Sequence, residues 1–85
     1  MENTDQRALV EMWRIRLEDA RTRHKTAHAA VDDARELQSQ IPSPDGSFAL
    51  QHALVAEHCA LAELKRVLTV FTVLLRSLTA ARVGA

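Results

Sequence analysis

The chain has 85 residues and a mass of 9.5 kDa, so we expect a single domain over residues 1–85. Eleven basic and eleven acidic residues cancel, and 47% of the residues are hydrophobic, which excludes a disordered acidic or basic tail. The one cysteine, Cys59, excludes an internal disulfide framework. The polar N-terminus and the absence of a long apolar run predict a cytoplasmic protein without a signal peptide or a transmembrane segment.

The composition favours helix, and the residues that break helices are concentrated at one point. Alanine and leucine, the best helix formers, occur 14 and 11 times. Both prolines and one of the two glycines lie within residues 42–46. Ser43 can cap a following helix, Pro44 suits its first position, and Asp45 suits its positive end. The sequence therefore predicts an all-α antiparallel hairpin with helices at about 4–40 and 44–82.

Each predicted helix carries an apolar heptad pattern that identifies a seam toward the other helix. In the first helix the seam positions are Val10, Trp13, Leu17, Ala20, His24, Ala27, Val31, Ala34, Gln38 and Ile41. In the second helix the positions assigned to the seam are Leu50, Leu54, Glu57, Leu61, Leu64, Leu68, Phe71, Leu75 and Leu78.

The second helix carries more apolar residues than one partner helix can cover. A further stripe lies one position from its seam, and the segment 67–75 is apolar nearly all round, a pattern typical of a helix buried on every side. Two hairpins that associate into a four-helix bundle would bury this surplus. The residues predicted to form the oligomer interface are Val67, Val70, Phe71, Val73, Leu74 and Leu78.

The net charge is zero, but the charges are separated along the chain. Segment 7–25 has six basic and three acidic residues, and segment 64–85 has four basic residues and no acidic one. Segment 29–63 has six acidic residues and one basic residue. In a hairpin the termini end is therefore basic and the turn end acidic, which favours an antiparallel, head-to-tail homodimer.

A basic flank beside the seams suggests a surface for an anionic partner. Its members are Arg14, Arg21, Arg35, Lys65 and Arg66. Aromatic residues are not interleaved with them, so base stacking is not supported and nucleic acid is the less favoured partner. The predicted architecture is similar to that of the small dimeric helical hairpins that include the plasmid copy-number regulator of paired RNA loops. The likeness is one of shape and implies no site residue.

Four polar residues near the middle of the hairpin form the candidate cluster for a metal. His24 and His28 are one helical turn apart, and Glu57 or His58 would reach them from the second helix. We interpret this cluster as a hydrogen-bonded polar break in an apolar core. The sequence has no HExxH, GxGxxG, GxxxxGK or CxxC motif, and we predict no catalytic residue, no cofactor and no metal.

These patterns predict a non-enzymatic protein–protein interaction or regulatory module that acts as a homodimeric four-helix bundle. Its partners would be a second copy and another protein. Two alternatives remain open at this point: a regulator that binds RNA or DNA through the basic flank, and an amphipathic protein that lies on a membrane surface.

Overall fold

The computed structural model describes residues 2–41 and 44–83, and these residues form two α-helices packed against each other as a hairpin. Helix α1 spans Glu2–Gln40 and helix α2 spans Asp45–Val83, each 39 residues long. The Cα atoms extend over 64 Å along the hairpin and over 18 and 12 Å across it. The predicted all-α hairpin is thus confirmed, and its helix boundaries agree with the structure to within about two residues.

The helices end and begin where the sequence places its helix breakers. The amide of Ile41 donates to the carbonyl oxygen of Leu37 at 2.8 Å, the last such bond of α1 before the proline. The amide of Phe48 donates to the carbonyl oxygen of Pro44 at 3.0 Å. Pro44 therefore precedes α2 instead of occupying its first position. The predicted cap at Ser43 lies outside the described residues.

Gly46 allows the two helices to meet closely beside the turn. It is buried, and a Cβ atom built on it would lie 2.9 Å from the carbonyl oxygen of Ile41 and 3.0 Å from the Cα of Gln38. Both atoms belong to the backbone and cannot be moved by a side-chain rotation. A larger residue here would force the first turn of α2 away from the end of α1.

Small and medium apolar side chains form the contact between the helices. One cluster contains Leu17, Ala20 and Val67, with Trp13 and Phe71 packed against it. The other, nearer the turn, contains Val31, Ala34, Ala53 and the adjacent Leu50. No polar side chain is buried among the residues whose burial the structure describes. Three of the six apolar side chains that are buried among these residues are alanines, so this core is thin for a chain of 85 residues.

The predicted seam of α1 is confirmed almost throughout. Leu17, Ala20, Val31 and Ala34 are buried, and the remaining seam positions are half-buried except Gln38, which is exposed. The unbroken alternation of three and four residues keeps these positions on one side of the helix along its length.

The predicted seam of α2 is wrong at three positions. Leu54, Leu68 and Leu75 are exposed, and residues one position earlier in the sequence take their places: Ala53, Val67 and Leu74. Ala60 and Leu61 are both half-buried. Ala53 and Val67 are 8% and 4% exposed, whereas Leu54, Leu68 and Leu75 are 39%, 43% and 40% exposed. Size explains the change where the seam residue is alanine, since alanine allows the helix axes to approach and leucine would hold them apart. Size does not distinguish Leu74 from Leu75.

Candidate functional site

The hairpin has two broad faces, and a contact between the helices marks each of them. On one face Nδ1 of His28 lies 2.7 Å from a carboxylate oxygen of Glu57. On the other face, Arg23 of α1 and Glu63 of α2 line a shared groove. Residues at seven-residue intervals from these positions lie on the same face of each helix. We call the side with His28 and Glu57 the leucine face, and the other side the opposite face.

The leucine face carries a row of leucines along α2. Its members lie three residues before, and four, eleven and eighteen residues after, Glu57, and we call them the leucine row: Leu54, Leu61, Leu68 and Leu75. Leu61 is half-buried and the other three are exposed. At 1.5 Å per residue the row is about 32 Å long. A row of leucines of this length at the surface of a helix favours an interface.

Helix α1 contributes basic side chains to the leucine face, and we call them the arginine row: Arg14, Arg21 and Arg35. Arg14 is already paired, since it donates to Glu11 at 2.6 Å and to Glu18 at 3.4 Å. The hydrogen bond from Arg14 holds the pKa of the Glu11 carboxyl below its ordinary value. Arg21 and Arg35 have no carboxylate partner among the side chains that the structure describes.

The predicted anion-binding residues are not gathered on one surface. Lys65 lies on the leucine face with the arginine row, because it falls between Leu61 and Leu68 on α2. Arg66 lies on the opposite face, where it donates to both oxygens of Glu63 at 2.6 and 2.8 Å. These hydrogen bonds lower the pKa of Glu63. Two of the five predicted residues, Arg14 and Arg66, therefore already bind carboxylates, and Arg66 lies on the other side of the hairpin from the remaining four.

The polar cluster forms at the middle of the leucine face, with Glu57 as its member from α2, but none of its members is buried, so the predicted polar break within the core is wrong. His28 Nε2 lies 4.0 Å from Asp32, and the His28 ring stacks on His24 with 6.3 Å between centroids. The His28 side chain is 63% exposed and Glu57 is 26% exposed, so the pair contributes on the order of 1 kcal/mol or less to stability. Within the described residues, no group of three or more His, Cys, Asp or Glu side chains is arranged to hold a metal ion.

The opposite face has a shallow groove with internally paired charges. The groove has a volume of about 320 Å³ and its floor includes Trp13, Ala20 and Val67. The Arg16 guanidinium stacks 4.8 Å from the centre of the Trp13 ring. Arg23 bonds Asp19 at 3.0 Å, in the same way that Arg66 bonds Glu63. Among the described side chains, these pairs leave Arg16 as the charged residue of the groove that has no carboxylate partner, so the free charge of the groove is one guanidinium group.

The residues predicted to form the oligomer interface divide between the core and the opposite face. Val67 is buried between the helices, which removes it from any partner surface, and Phe71, Leu74 and Leu78 are half-buried. Val70 and Val73 are 37% and 55% exposed. Both lie near the groove by their spacing from Arg66, close to the termini end. The heptad pattern places the leucines of the leucine row in the seam, so it does not predict them as a surface.

Comparison with protein-family models finds no match, and neither curated proteins nor solved structures provide one. Across residues 2–41 and 44–83, neither helix has a stretch apolar enough to cross a bilayer. The candidate site is therefore defined by the surface chemistry of the hairpin itself. The candidate site that we consider further is the leucine face.

Proposed function

We propose that the protein is a non-enzymatic protein–protein interaction module that acts as an antiparallel homodimer, two hairpins forming a four-helix bundle. The observation that supports this proposal is the leucine row. The hairpin encloses alanines in its core and leaves a row of four leucines outside it. Burying a leucine side chain contributes about 1.5–3 kcal/mol relative to leaving it exposed, so a partner that covers the row gains a large apolar contact.

The small core gives a second reason for self-association. A two-helix hairpin has no third element to cover the outer sides of its helices, and small chains rarely obtain enough stability from one core. The six side chains that are buried are Leu17, Ala20, Val31, Ala34, Ala53 and Val67. A second hairpin would add a second layer of apolar side chains and supply the missing burial.

The charges of the two ends favour a head-to-tail arrangement. The hairpin brings segments 7–25 and 64–83, both basic, to the termini end, and places most of the acidic segment 29–63 toward the turn. Two hairpins in opposite directions set each basic end beside an acidic end, whereas two hairpins in the same direction oppose like charges. The carboxylates already bonded to Arg14 and Arg66 favour this function over RNA or DNA binding through the basic flank.

A dimer predicts a thermal unfolding midpoint that rises with protein concentration, because dissociation accompanies unfolding. For an assembly of two chains of this length we expect about 4 °C per tenfold increase in concentration. Far-UV circular dichroism melts between about 1 and 100 µM would measure the change. A midpoint that does not move over this range would remove the homodimer from the proposal.

A further inference from the structure

We infer that a second copy docks on the leucine face head to tail, with the leucine row of one copy lying on the leucine row of the other. The inference rests on the proposed self-association and adds which face is used and how the helices are paired. It follows from the way the two rows of the leucine face are divided between the helices. The leucines are all on α2 and the arginines are all on α1.

Twofold symmetry allows two ways of placing one leucine face on another. If the hairpins run in opposite directions, α2 lies over α2 of the partner and α1 lies over α1. If they run in the same direction, α2 lies over α1 of the partner and α1 lies over α2 of the partner. The choice of direction therefore decides what covers the leucine row.

Only the head-to-tail arrangement covers leucine with leucine. The other arrangement places the leucine row on the guanidinium groups of the arginine row, which would lose water without gaining a carboxylate. Arg21 and Arg35 are the arginines most affected, since neither has an ion pair among the described side chains. The charges of the two ends also favour the head-to-tail arrangement.

Matching the complete rows fixes the register. All four leucines are paired when Leu54 meets the partner's Leu75 and Leu61 meets the partner's Leu68, because an antiparallel pairing holds the sum of the residue numbers constant. The twofold axis then passes beside Lys65, which lies between Leu61 and Leu68 on the same face. Any shift by one heptad leaves a leucine of each copy uncovered.

The contacts within the hairpin show which residue of α1 lies at the same height as Lys65 of α2. Gln38 donates to Ser47 at 3.4 Å and His28 contacts Glu57, so facing residues of the two helices have numbers that add to about 85. Lys65 is therefore level with Arg21, and Arg21 also lies beside the axis. In this position Arg21 lies about one helical turn from the partner's Glu18, measured along the helices. The carboxylate of the partner's Glu18 can accept a hydrogen bond from Arg21 in addition to the one that Glu18 accepts from Arg14.

Single cysteines beside the axis test this arrangement. Three chains are compared under mild oxidation: C59S/K65C, C59S/R21C, and the unchanged chain, whose Cys59 is exposed but lies away from the leucine face. Lys65 and Arg21 are exposed, so neither change removes a core contact. A size tag on one chain distinguishes homodimers from heterodimers, and sedimentation equilibrium of the same samples gives the mass before oxidation.

We expect C59S/K65C and C59S/R21C each to form covalent homodimers, at least tenfold faster than the unchanged chain, and to form few heterodimers when mixed. A non-covalent dimer that forms heterodimers and no homodimers would overturn the head-to-tail pairing and leave the proposed dimer intact. A non-covalent dimer that forms neither would show that another face is used. A monomeric mass would overturn the proposed dimer, and this inference with it.

Discussion

Replacing Leu68 with aspartate is expected to dissociate the dimer while leaving each hairpin folded. Leu68 is 43% exposed in the hairpin, so the change costs little in the monomer. In the dimer it would bury a carboxylate against the leucine row of the partner, and twofold symmetry makes this happen twice. Taking about 2 kcal/mol for each buried, unpaired group gives about 4 kcal/mol, or roughly a thousandfold increase in Kd. Sedimentation equilibrium would measure the Kd.

Val73→Asp is the matched control for this experiment. Val73 is 55% exposed on the same helix, but its spacing places it on the opposite face. The sequence alone favours Val73 as part of the interface. The structure leads us to expect that the Val73→Asp chain stays dimeric. If this change dissociates the protein and Leu68→Asp does not, the hairpins associate through the opposite face.

Replacing Leu17 with alanine is expected to cause the largest loss of folding stability. Leu17 is 6% exposed and packs with Ala20, Val67 and the partly buried Trp13. Truncation of a buried leucine costs about 2–5 kcal/mol, because burial is lost and a cavity remains. That is a large part of the stability of a small protein. Urea denaturation at a single protein concentration would measure the change in the free energy of unfolding.

Ile15→Ala provides the comparison for Leu17→Ala. Ile15 lies two residues away on the same helix and is 57% exposed. Its removal should change the free energy of unfolding by about 0.5 kcal/mol or less, because alanine is the better helix former and little burial is lost. Equal effects of the two changes would mean that Leu17 is not enclosed between the helices.

The hairpin itself follows from local features of the sequence. The prolines and Gly46 fall together, and the segments on either side have neither a proline nor, except for the glycine next to the C-terminus, another glycine. The seam of α1 is equally clear, because few apolar residues compete for it and those present keep a regular three- and four-residue spacing. The clustered helix breakers and the clear heptad pattern of α1 were sufficient for these predictions.

The side of α2 that faces α1 could not be obtained in the same way. Helix α2 is apolar at adjacent heptad positions, so periodicity allows two seams that differ by a rotation of part of a turn. Choosing the larger side chains selects Leu54, Leu61 and Leu68. Packing selects Ala53, Ala60 and Val67, because a close approach of two helices depends on small residues across from larger ones.

That rotation also explains why the sequence and the structure favour different residues for the interface. With the leucines assigned to the seam, the surplus apolar surface had to be sought near Val70 and Val73. Once the alanines face α1, Leu54, Leu68 and Leu75 of the leucine row are left exposed on the surface of the hairpin. The ion pairs of the basic flank could not be predicted for a different reason. Pairs such as Arg66 with Glu63 depend on side-chain rotamers, which heptad positions do not specify.

The mass of the unchanged chain in solution tests the central claim most directly. Sedimentation equilibrium at micromolar concentration should give twice the 9.5 kDa of one chain. A mass of one chain that persists to about millimolar concentration, where even weak association saturates, would contradict self-association through the leucine face.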